Sequence, residues 1–169
     1  NEIIAEGYHK AFGKPHAEID AMTGVAPDLL EGSTFYVNLE PCSHFGKTPP
    51  CADAIIKNKI KRVVVGMQDP NPLVSGEGIR KLISAGIEVH TDVLKDESMF
   101  LNRFFIKYIT KEQPFIVMKT AISIDGFTSA SDGTSKWLTS PESRVEVHKL
   151  RSELDAVMVG KNTVLLDDP

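Results

Sequence analysis

Residues 62–67, RVVVGM, contain a continuous apolar run. Such a run is typical of a strand that is buried on both faces of a parallel sheet. Helical patterns flank it, CADAIIKN at 51–58 and GIRKLISAG at 78–86, where Gly86 is an expected helix stop. Strand-like segments lie further out, at 33–39 and 87–91. Strands that alternate with helices predict an α/β layered domain with a largely parallel sheet.

The remaining patterns extend this alternation toward both ends of the chain. HAEIDAM at 16–22 predicts a short helix, and NEIIAEGYH at 1–9 resembles a strand. Apolar residues at helical spacing predict one further helix. They are Phe100, Leu101, Phe104, Phe105 and Tyr108.

The pattern restarts near residues 110–114, where we place a domain boundary. After it, 115–123 predicts a strand, 141–155 a helix and 156–160 another strand. The helix has two candidate caps. Thr139 with Glu142 fits a capping box, whereas Pro141 at the first helical position favours Ser140.

The only two cysteines, Cys42 and Cys51, are separated by eight residues. A disulfide could close this loop, and so could a metal ion. Zinc accepts thiolate and imidazole, and a catalytic zinc site keeps three protein ligands plus water. His16 supplies the imidazole. Cys51 opens a predicted helix, whose N-terminus stabilises a thiolate.

Glu18 lies two residues after His16, where a carboxylate can carry protons between water and a leaving amine. The zinc deaminase signature is H-x-E followed by P-C-x-x-C. HAE and PC match it, but the spacing between the cysteines does not. Two buried, inert cysteines are the alternative that requires no ligand.

Composition limits the classes of function. With 41% hydrophobic and 25% charged residues, the chain is typical of a globular protein. A formal net charge of −4 gives no general attraction to nucleic acid or to anionic membranes. We find no export signal, and two cysteines favour a reducing compartment, so we expect a cytoplasmic protein.

The chain resembles the bifunctional deaminase/reductase family of riboflavin biosynthesis over nearly its whole length. The motifs that resemble the deaminase half are HAE, NLEPCSHFGKTPPC and VVVGMQDPNPLVSGEGI. Those that resemble the reductase half are VMKTAISIDG, SKWLTS and LRSELDAVMVGKNTVLLDDP. The long insert between the cysteines separates this family from deaminases of cytidine, guanine and tRNA adenosine.

The resemblance implies a fold and two domains. Residues 1–111 are expected to form a cytidine-deaminase-like three-layer αβα domain. Residues 114–169 are expected to begin a dihydrofolate-reductase-like α/β domain. Compared with the family, we expect residues to be missing at both ends. We also expect a homo-oligomer, although the sequence does not define its size.

The first implied reaction hydrolyses the ring amino group of 2,5-diamino-6-(5-phosphoribosylamino)pyrimidin-4-one. In it, Glu18 would shuttle protons beside a zinc ion. The implied zinc ligands are His16, Cys42 and Cys51. The implied substrate contacts are His9, His44 and Lys47. His90 is interpreted as structural.

The second implied reaction reduces the ribosyl side chain with NADPH. The chain lacks the G-x-G-x-x-G fingerprint, as the reductase family does. By resemblance, the cofactor contacts are Ala121, Trp137, Thr163 and Asp167. The substrate contacts are Ser135 and Arg151, with Lys119 and Asp125 as further candidates. Arg151 suits a phosphate, because a guanidinium matches phosphate oxygens bidentately.

Three alternatives remain open from the sequence. One is a deaminase of another base or nucleoside, against which the insert and the second domain argue. Another is a non-catalytic zinc-stabilised module, although structural zinc sites usually have four protein ligands. The third is a related protein in which only one half works.

Overall fold

A computed structural model describes residues 2–46, 48–72 and 74–167. The chain divides into two compact units, Asn1–Ile116 and Val117–Pro169. Each unit is described by itself below. None of the described helices is long and apolar enough to span a bilayer.

A parallel sheet of three strands forms the centre of the first unit. The strands are β1 (Thr34–Leu39), β2 (Arg62–Met67) and β3 (Glu88–His90), in the order β1-β2-β3. Val37 pairs with Val65, and Val63 pairs with Val89. The apolar run is therefore the middle strand, and the prediction of a parallel α/β domain is confirmed.

Six helices accompany this sheet in the described part of the first unit. They are α1 (Ala17–Met22), α2 (Pro27–Leu30), α3 (Cys51–Lys57), α4 (Glu77–Ser84), α5 (Lys95–Leu101) and α6 (Arg103–Lys111). The sequence patterns located α1, α3 and α4. They missed α2, a single turn that begins with Pro27 at a position where proline is tolerated.

The single helix predicted around residues 100–108 is two helices. Asn102 lies between α5 and α6, with φ −91° and ψ 11°, and its side-chain amide donates to the Ser98 carbonyl. Phe100, Leu101 and Tyr108 are exposed. The predicted apolar face is therefore divided between two helices, and three of its five side chains are exposed.

The core lies where α3 and α4 pack against β2. Val63, Val65, Ile55 and Leu82 are each 0% exposed. Complete burial of such side chains stabilises a fold by about 1.5–3 kcal/mol each. The buried cluster comprises Met22, Leu30, Ala52, Ile55, Ile60, Val63, Val65, Leu82 and Ile87.

The second unit contains the helices α7 (Pro141–Ser152) and α8 (Lys161–Asp167). The Ser140 hydroxyl accepts a hydrogen bond from the Ser143 amide at 3.3 Å, so Ser140 is the N-cap of α7. This hydrogen bond decides between the two candidate caps, Thr139 and Ser140.

Three strand predictions are wrong for the described residues. The segments 2–9, 115–123 and 156–160 are not paired in a sheet. A strand requires ladder hydrogen bonds to a neighbour, and an apolar pattern does not supply one. No described side chain between 117 and 166 is buried.

Candidate metal centre and pocket

Three potential metal ligands converge at one end of the sheet. His16 is the N-cap of α1, Cys42 follows β1 after two residues, and Cys51 is the first residue of α3. The His16 Nδ1 atom lies 3.6 Å from the Cys42 Sγ and 3.4 Å from the Cys51 Sγ. Both cysteines are free thiols, so the disulfide interpretation is not supported.

The donor atoms fit a zinc ion. All three lie within 4.8 Å of one another. Zinc bonds of about 2.3 Å to sulfur and 2.0–2.1 Å to nitrogen, at tetrahedral angles, place sulfur and nitrogen roughly 3.6 Å apart. The observed separations match this value. Three ligands of these types leave one position open, as in catalytic rather than structural zinc sites.

The pKa values of the two thiols are shifted in opposite directions. A hydrogen bond from the Cys51 thiol lowers the pKa of Cys42 to about 5. The backbone N–H of Cys51 also donates to the Cys42 Sγ, at 3.3 Å, and lowers this pKa further, as does nearby His16. The hydrogen bond to Cys42 and burial raise the pKa of Cys51. The N-terminus of α3 therefore stabilises Cys42 as a thiolate, whereas the sequence pattern predicts this benefit for Cys51.

Glu18 lies beside the cluster in the first turn of α1. Burial raises the pKa of its carboxyl group, and the negative charge of Cys42 adds to this, while His16 opposes it. A general acid–base catalyst must both hold and release a proton, and a raised pKa helps a carboxyl group to hold one. The position and the environment of Glu18 therefore agree with proton transfer.

A cavity of about 230 Å³ opens at the cluster. Its walls bring two ligands together with residues from the N-terminal segment and from the loop between the cysteines. They are His9, Phe12, Gly13, Lys14, His16, Cys42, His44, Gly46 and Thr48. The structure thus places the two predicted substrate contacts His9 and His44 at the cavity. Lys47, the third, lies outside the described residues.

His9 is held in a defined orientation at this cavity. Its Nδ1 lies 3.0 Å from the Pro15 carbonyl oxygen, which can only accept, so Nδ1 carries the proton. Its ring meets the His16 ring edge-on, with centroids 5.6 Å apart. In the neutral ring, Nε2 remains as an acceptor nitrogen.

Sequence reasoning missed several residues near the cavity. Phe12, Lys14 and Thr48 line it. Lys14 carried a signal, because it lies two residues before His16 in KPHAE. Phe12 and Thr48 carried no sequence signal, since their positions depend on how the two loops fold.

His90, interpreted as structural, lies on the surface with its Nε2 2.8 Å from a Glu88 carboxylate oxygen.

The predicted reductase residues are not gathered into one site among the described residues. Ala121 and Thr163 are half-buried, and the other described side chains of the set are exposed. The Arg144 guanidinium stacks on the Trp137 ring at 4.4 Å, and Ser123 donates a hydrogen bond to Asp125. No described contact joins two of the predicted reductase positions. These positions are Lys119, Ala121, Asp125, Ser135, Trp137, Arg151 and Thr163. Asp167 ends α8.

Two known families match separate parts of the chain. Residues 1–67 match the cytidine and deoxycytidylate deaminase zinc-binding region. Residues 114–169 match the RibD C-terminal domain. The parallel sheet and the His–Cys–Cys cluster, together with the first match, define a zinc-binding domain of the cytidine deaminase class.

Relatives narrow the class to a family. The riboflavin biosynthesis protein RibD of Aquifex aeolicus is 54% identical over 168 residues, and that of Escherichia coli is 46% identical; each alignment covers 99% of this chain. The alignments cover 47% and 46% of these relatives, so the chain spans about half of their length. The chain belongs to the RibD family.

Two solved structures support the assignment. A Thermotoga maritima structure, titled diaminohydroxyphosphoribosylaminopyrimidine deaminase/5-amino-6-(5-phosphoribosylamino)uracil reductase, has a TM-score of 0.90 and 48% identity, over 98% of this chain and 48% of that one. Acinetobacter baumannii RibD has a TM-score of 0.88 and 43% identity, over 98% and 46%.

Proposed function

We propose that the full-length protein is a bifunctional enzyme of riboflavin biosynthesis. Its deaminase half hydrolyses the ring amino group of 2,5-diamino-6-(5-phosphoribosylamino)pyrimidin-4-one. Its reductase half then reduces the ribosyl side chain to ribityl with NADPH. We assign the deaminase to residues 1–111 and the start of the reductase to 114–169. A homo-oligomer in the cytoplasm is part of the same proposal.

One observation carries the deaminase assignment. The three zinc-type donors lie close together, with both sulfur–nitrogen separations near the tetrahedral value, beside the half-buried Glu18 carboxylate and at the mouth of a cavity. His16, Cys42 and Cys51 would hold the zinc ion. When bound, zinc supplies Lewis-acid activation of the attacking water. The cavity of about 230 Å³ is of the order needed for a pyrimidine ring.

Glu18 provides the proton transfer that hydrolysis of an amine needs. Its carboxylate takes a proton as water attacks the ring carbon, and it then delivers a proton to the departing nitrogen as ammonia leaves. His9 would orient the ring through its Nε2 acceptor. His44 and Lys47 would bind the ring or the phosphate from the loop between the cysteines.

For the reductase half, the support is the family match over residues 114–169 and the matching motifs. The cofactor contacts would be Ala121, Trp137, Thr163 and Asp167. The substrate contacts would be Ser135, Arg151, Lys119 and Asp125. Most of these side chains are exposed and therefore accessible to ligands.

The direct test is ammonia release from the diaminopyrimidine by the zinc-loaded full-length protein, with NADPH oxidation followed separately on the deaminated product. Glu18→Gln keeps the shape of the side chain but removes the proton carrier. Because general acid–base catalysis contributes about 10²–10⁴ in rate, deamination should fall by that factor while zinc content stays unchanged. Near-normal turnover by this variant would refute the role of Glu18. A wild-type protein that releases no ammonia would refute the deaminase proposal.

A further inference from the structure

Glu40 is a buried carboxylate that neither the metal cluster nor the proposed proton transfer uses. It lies between the end of β1 and Pro41, two residues before the ligand Cys42, and is only 5% exposed. Charged side chains are rarely buried this completely unless hydrogen bonds compensate for the loss of water. Its partners therefore indicate what it does.

All three described hydrogen bonds to the Glu40 carboxylate come from backbone amides. One oxygen accepts from the N–H groups of Asp69 at 3.1 Å and Gly76 at 2.9 Å. The other accepts from the N–H of Ile79 at 3.1 Å. Asp69 follows β2, and Gly76 and Ile79 belong to the N-terminus of α4. One carboxylate thus joins the end of β1, the exit of β2 and the start of α4.

Glu40 takes the place of the side-chain cap that α4 lacks. The N-cap residue of α4 is Gly76, which has φ +80° and no side chain. The first amides of a helix have no intrahelical acceptor, and a side-chain oxygen from the N-cap normally satisfies one of them. Here the acceptor comes from the residue that follows β1, so the cap also fixes where α4 begins relative to β1.

Gly78 allows this close approach. A Cβ atom at this position would lie 1.9 Å from the Pro41 carbonyl oxygen, which is far inside van der Waals contact. Only glycine therefore lets the first turn of α4 lie directly against the Glu40–Pro41 segment. Two features therefore make this contact possible: the buried Glu40 carboxylate after β1, and the absence of a side chain at Gly78 in α4.

The contact reaches the wall of the cavity along the chain, because Cys42, which lines the cavity, is separated from Glu40 only by Pro41. The Asp69 amide is held by Glu40, and its carboxylate turns back to accept from the Asn71 amide at 2.8 Å. The Asp69 carboxylate also interacts electrostatically with His44, which lines the cavity. A shift in the backbone at Asp69 would therefore change the surroundings of His44.

We propose that Glu40 is a positioning residue of the deaminase site, which fixes the exit of β2 at Asp69 and the start of α4 against the Cys42 segment that lines the cavity. It acts through the backbone and touches no reacting atom. The proposal rests on the proposed deaminase function, and it assigns Glu40 to substrate binding rather than to zinc binding.

Glu40→Gln in the zinc-loaded full-length protein tests this directly. Glutamine keeps the length of the side chain, but its NH₂ group cannot accept, so at least one of the three amides loses its acceptor. We expect KM for the diaminopyrimidine to rise roughly five- to tenfold, less than a lost hydrogen bond to a charged group would cost directly, because Glu40 acts on the substrate only through the backbone. Zinc content and kcat should stay near wild type. A lower melting temperature with unchanged KM would indicate a merely structural role and overturn the proposal.

Glu77→Gln is the matched control. Glu77 is in the first turn of the same helix, but its carboxylate is exposed and pairs with Arg80. This variant removes the same charge from the same helix terminus without touching the three amides. KM should therefore stay at the wild-type value. A rise equal to that of Glu40→Gln would assign the effect to charge alone and overturn the proposal.

Amide hydrogen exchange provides a measurement that does not depend on activity. In the wild-type protein, the amides of Gly76 and Ile79 should exchange slowly, although amides at a helix N-terminus ordinarily lack an acceptor. In Glu40→Gln, exchange across Asp69, Gly76 and Ile79 should accelerate by roughly tenfold, as expected for the loss of one hydrogen bond. Fast exchange in the wild type, or unchanged exchange in the variant, would overturn the proposal. These measurements test the hydrogen bonds on which the proposal rests even if no ammonia is released, an outcome that counts against the proposed function alone.

Discussion

The two units of the chain carry similar strand and helix patterns but differ in what the structure makes of them. In the first unit, Val63 and Val65 are completely buried between neighbouring strands and helices. In the second, Met118 and Met158 belong to the segments 115–123 and 156–160, which also carry strand-like patterns, and both side chains are almost completely exposed. The difference shows that an apolar run becomes a strand only where other strands pair with it.

The two candidate sites differ in the same way. The zinc cluster unites residues 26 and 35 positions apart in sequence, because the end of β1 and the starts of α1 and α3 meet at one edge of the sheet. The predicted reductase residues have no comparable framework among the described residues. The sequence patterns thus predict chemistry in both units, whereas only the first unit shows the geometry for it.

Loss of the metal is the largest effect we expect, and it tests whether the units are separate. Cys42→Ser replaces the thiolate that the N-terminus of α3 stabilises with a weak ligand. The variant should lose its zinc and its deamination should fall to background, while NADPH oxidation on deaminated substrate continues. Metal analysis and the two assays on the full-length protein check this. Loss of both activities in a folded variant would show that the halves are coupled.

Packing gives the next largest effect. Leu82→Ala removes a completely buried side chain from the first core and should lower the free energy of unfolding of that unit by about 2–5 kcal/mol. Met158→Ala is the matched control in the second unit, since Met158 is 94% exposed, and it should change stability by less than about 0.5 kcal/mol. Denaturant unfolding measures both. A similar loss in the two variants would mean that Met158 is buried in the full-length protein.

Most elements of the first unit were predictable because the sequence signals there are local and consistent. The run at 62–67 indicates the central strand, and HAE with the two cysteines indicates the cluster. Asn102 shows that apolar spacing does not predict where a helix ends, because the spacing at 100–108 continues through a position where the helix stops. The helix N-terminus that stabilises Cys42 could not be inferred, since it depends on which Sγ the Cys51 amide faces.

Glu40 and Asp69 show how far the residues of a site can be predicted from the sequence. Both lie in motifs that the sequence makes recognisable, NLEPC and QDPNP, but their roles arise from hydrogen bonds across 29 to 39 residues of sequence. No spacing rule predicts which buried carboxylate will accept from which loop. The strands predicted at 115–123 and 156–160 failed for the related reason that strand pairing is not local.

Arg151 tests the proposed phosphate contact of the second unit. Arg151→Ala removes a guanidinium from the last turn of α7, and KM for the reduction should rise roughly ten- to hundredfold, since hydrogen bonds to charged groups contribute about 1.5–3 kcal/mol. Deamination should be unaffected. Lys149→Ala is the control, because Lys149 lies on the same helix in an exposed pair with Glu146. An equal rise in both variants would indicate a general charge effect rather than a direct contact.

The smallest effect concerns exposed ion pairs, which both units contain. Glu88 pairs with Arg62 across the register of β2 and β3, whereas Glu146 and Lys149 pair within α7. Hydrogen bonds from His90 and then Arg62 lower the pKa of Glu88 below its usual 4.5. Its contribution to stability is therefore present above that value and is lost as the pH falls through the lowered pKa.

Glu88→Gln should accordingly lower the melting temperature of the first unit slightly at neutral pH, and the difference from wild type should shrink as the pH falls through the lowered pKa of Glu88. Glu146→Gln should change neither unit measurably, because its pair joins two turns of one helix and both side chains are exposed. Thermal unfolding of both variants across this pH range provides the measurement. A difference for Glu88→Gln that grows as the pH falls would contradict the expected sign, and would mean that the protonated form of Glu88 is the one that the sheet stabilises.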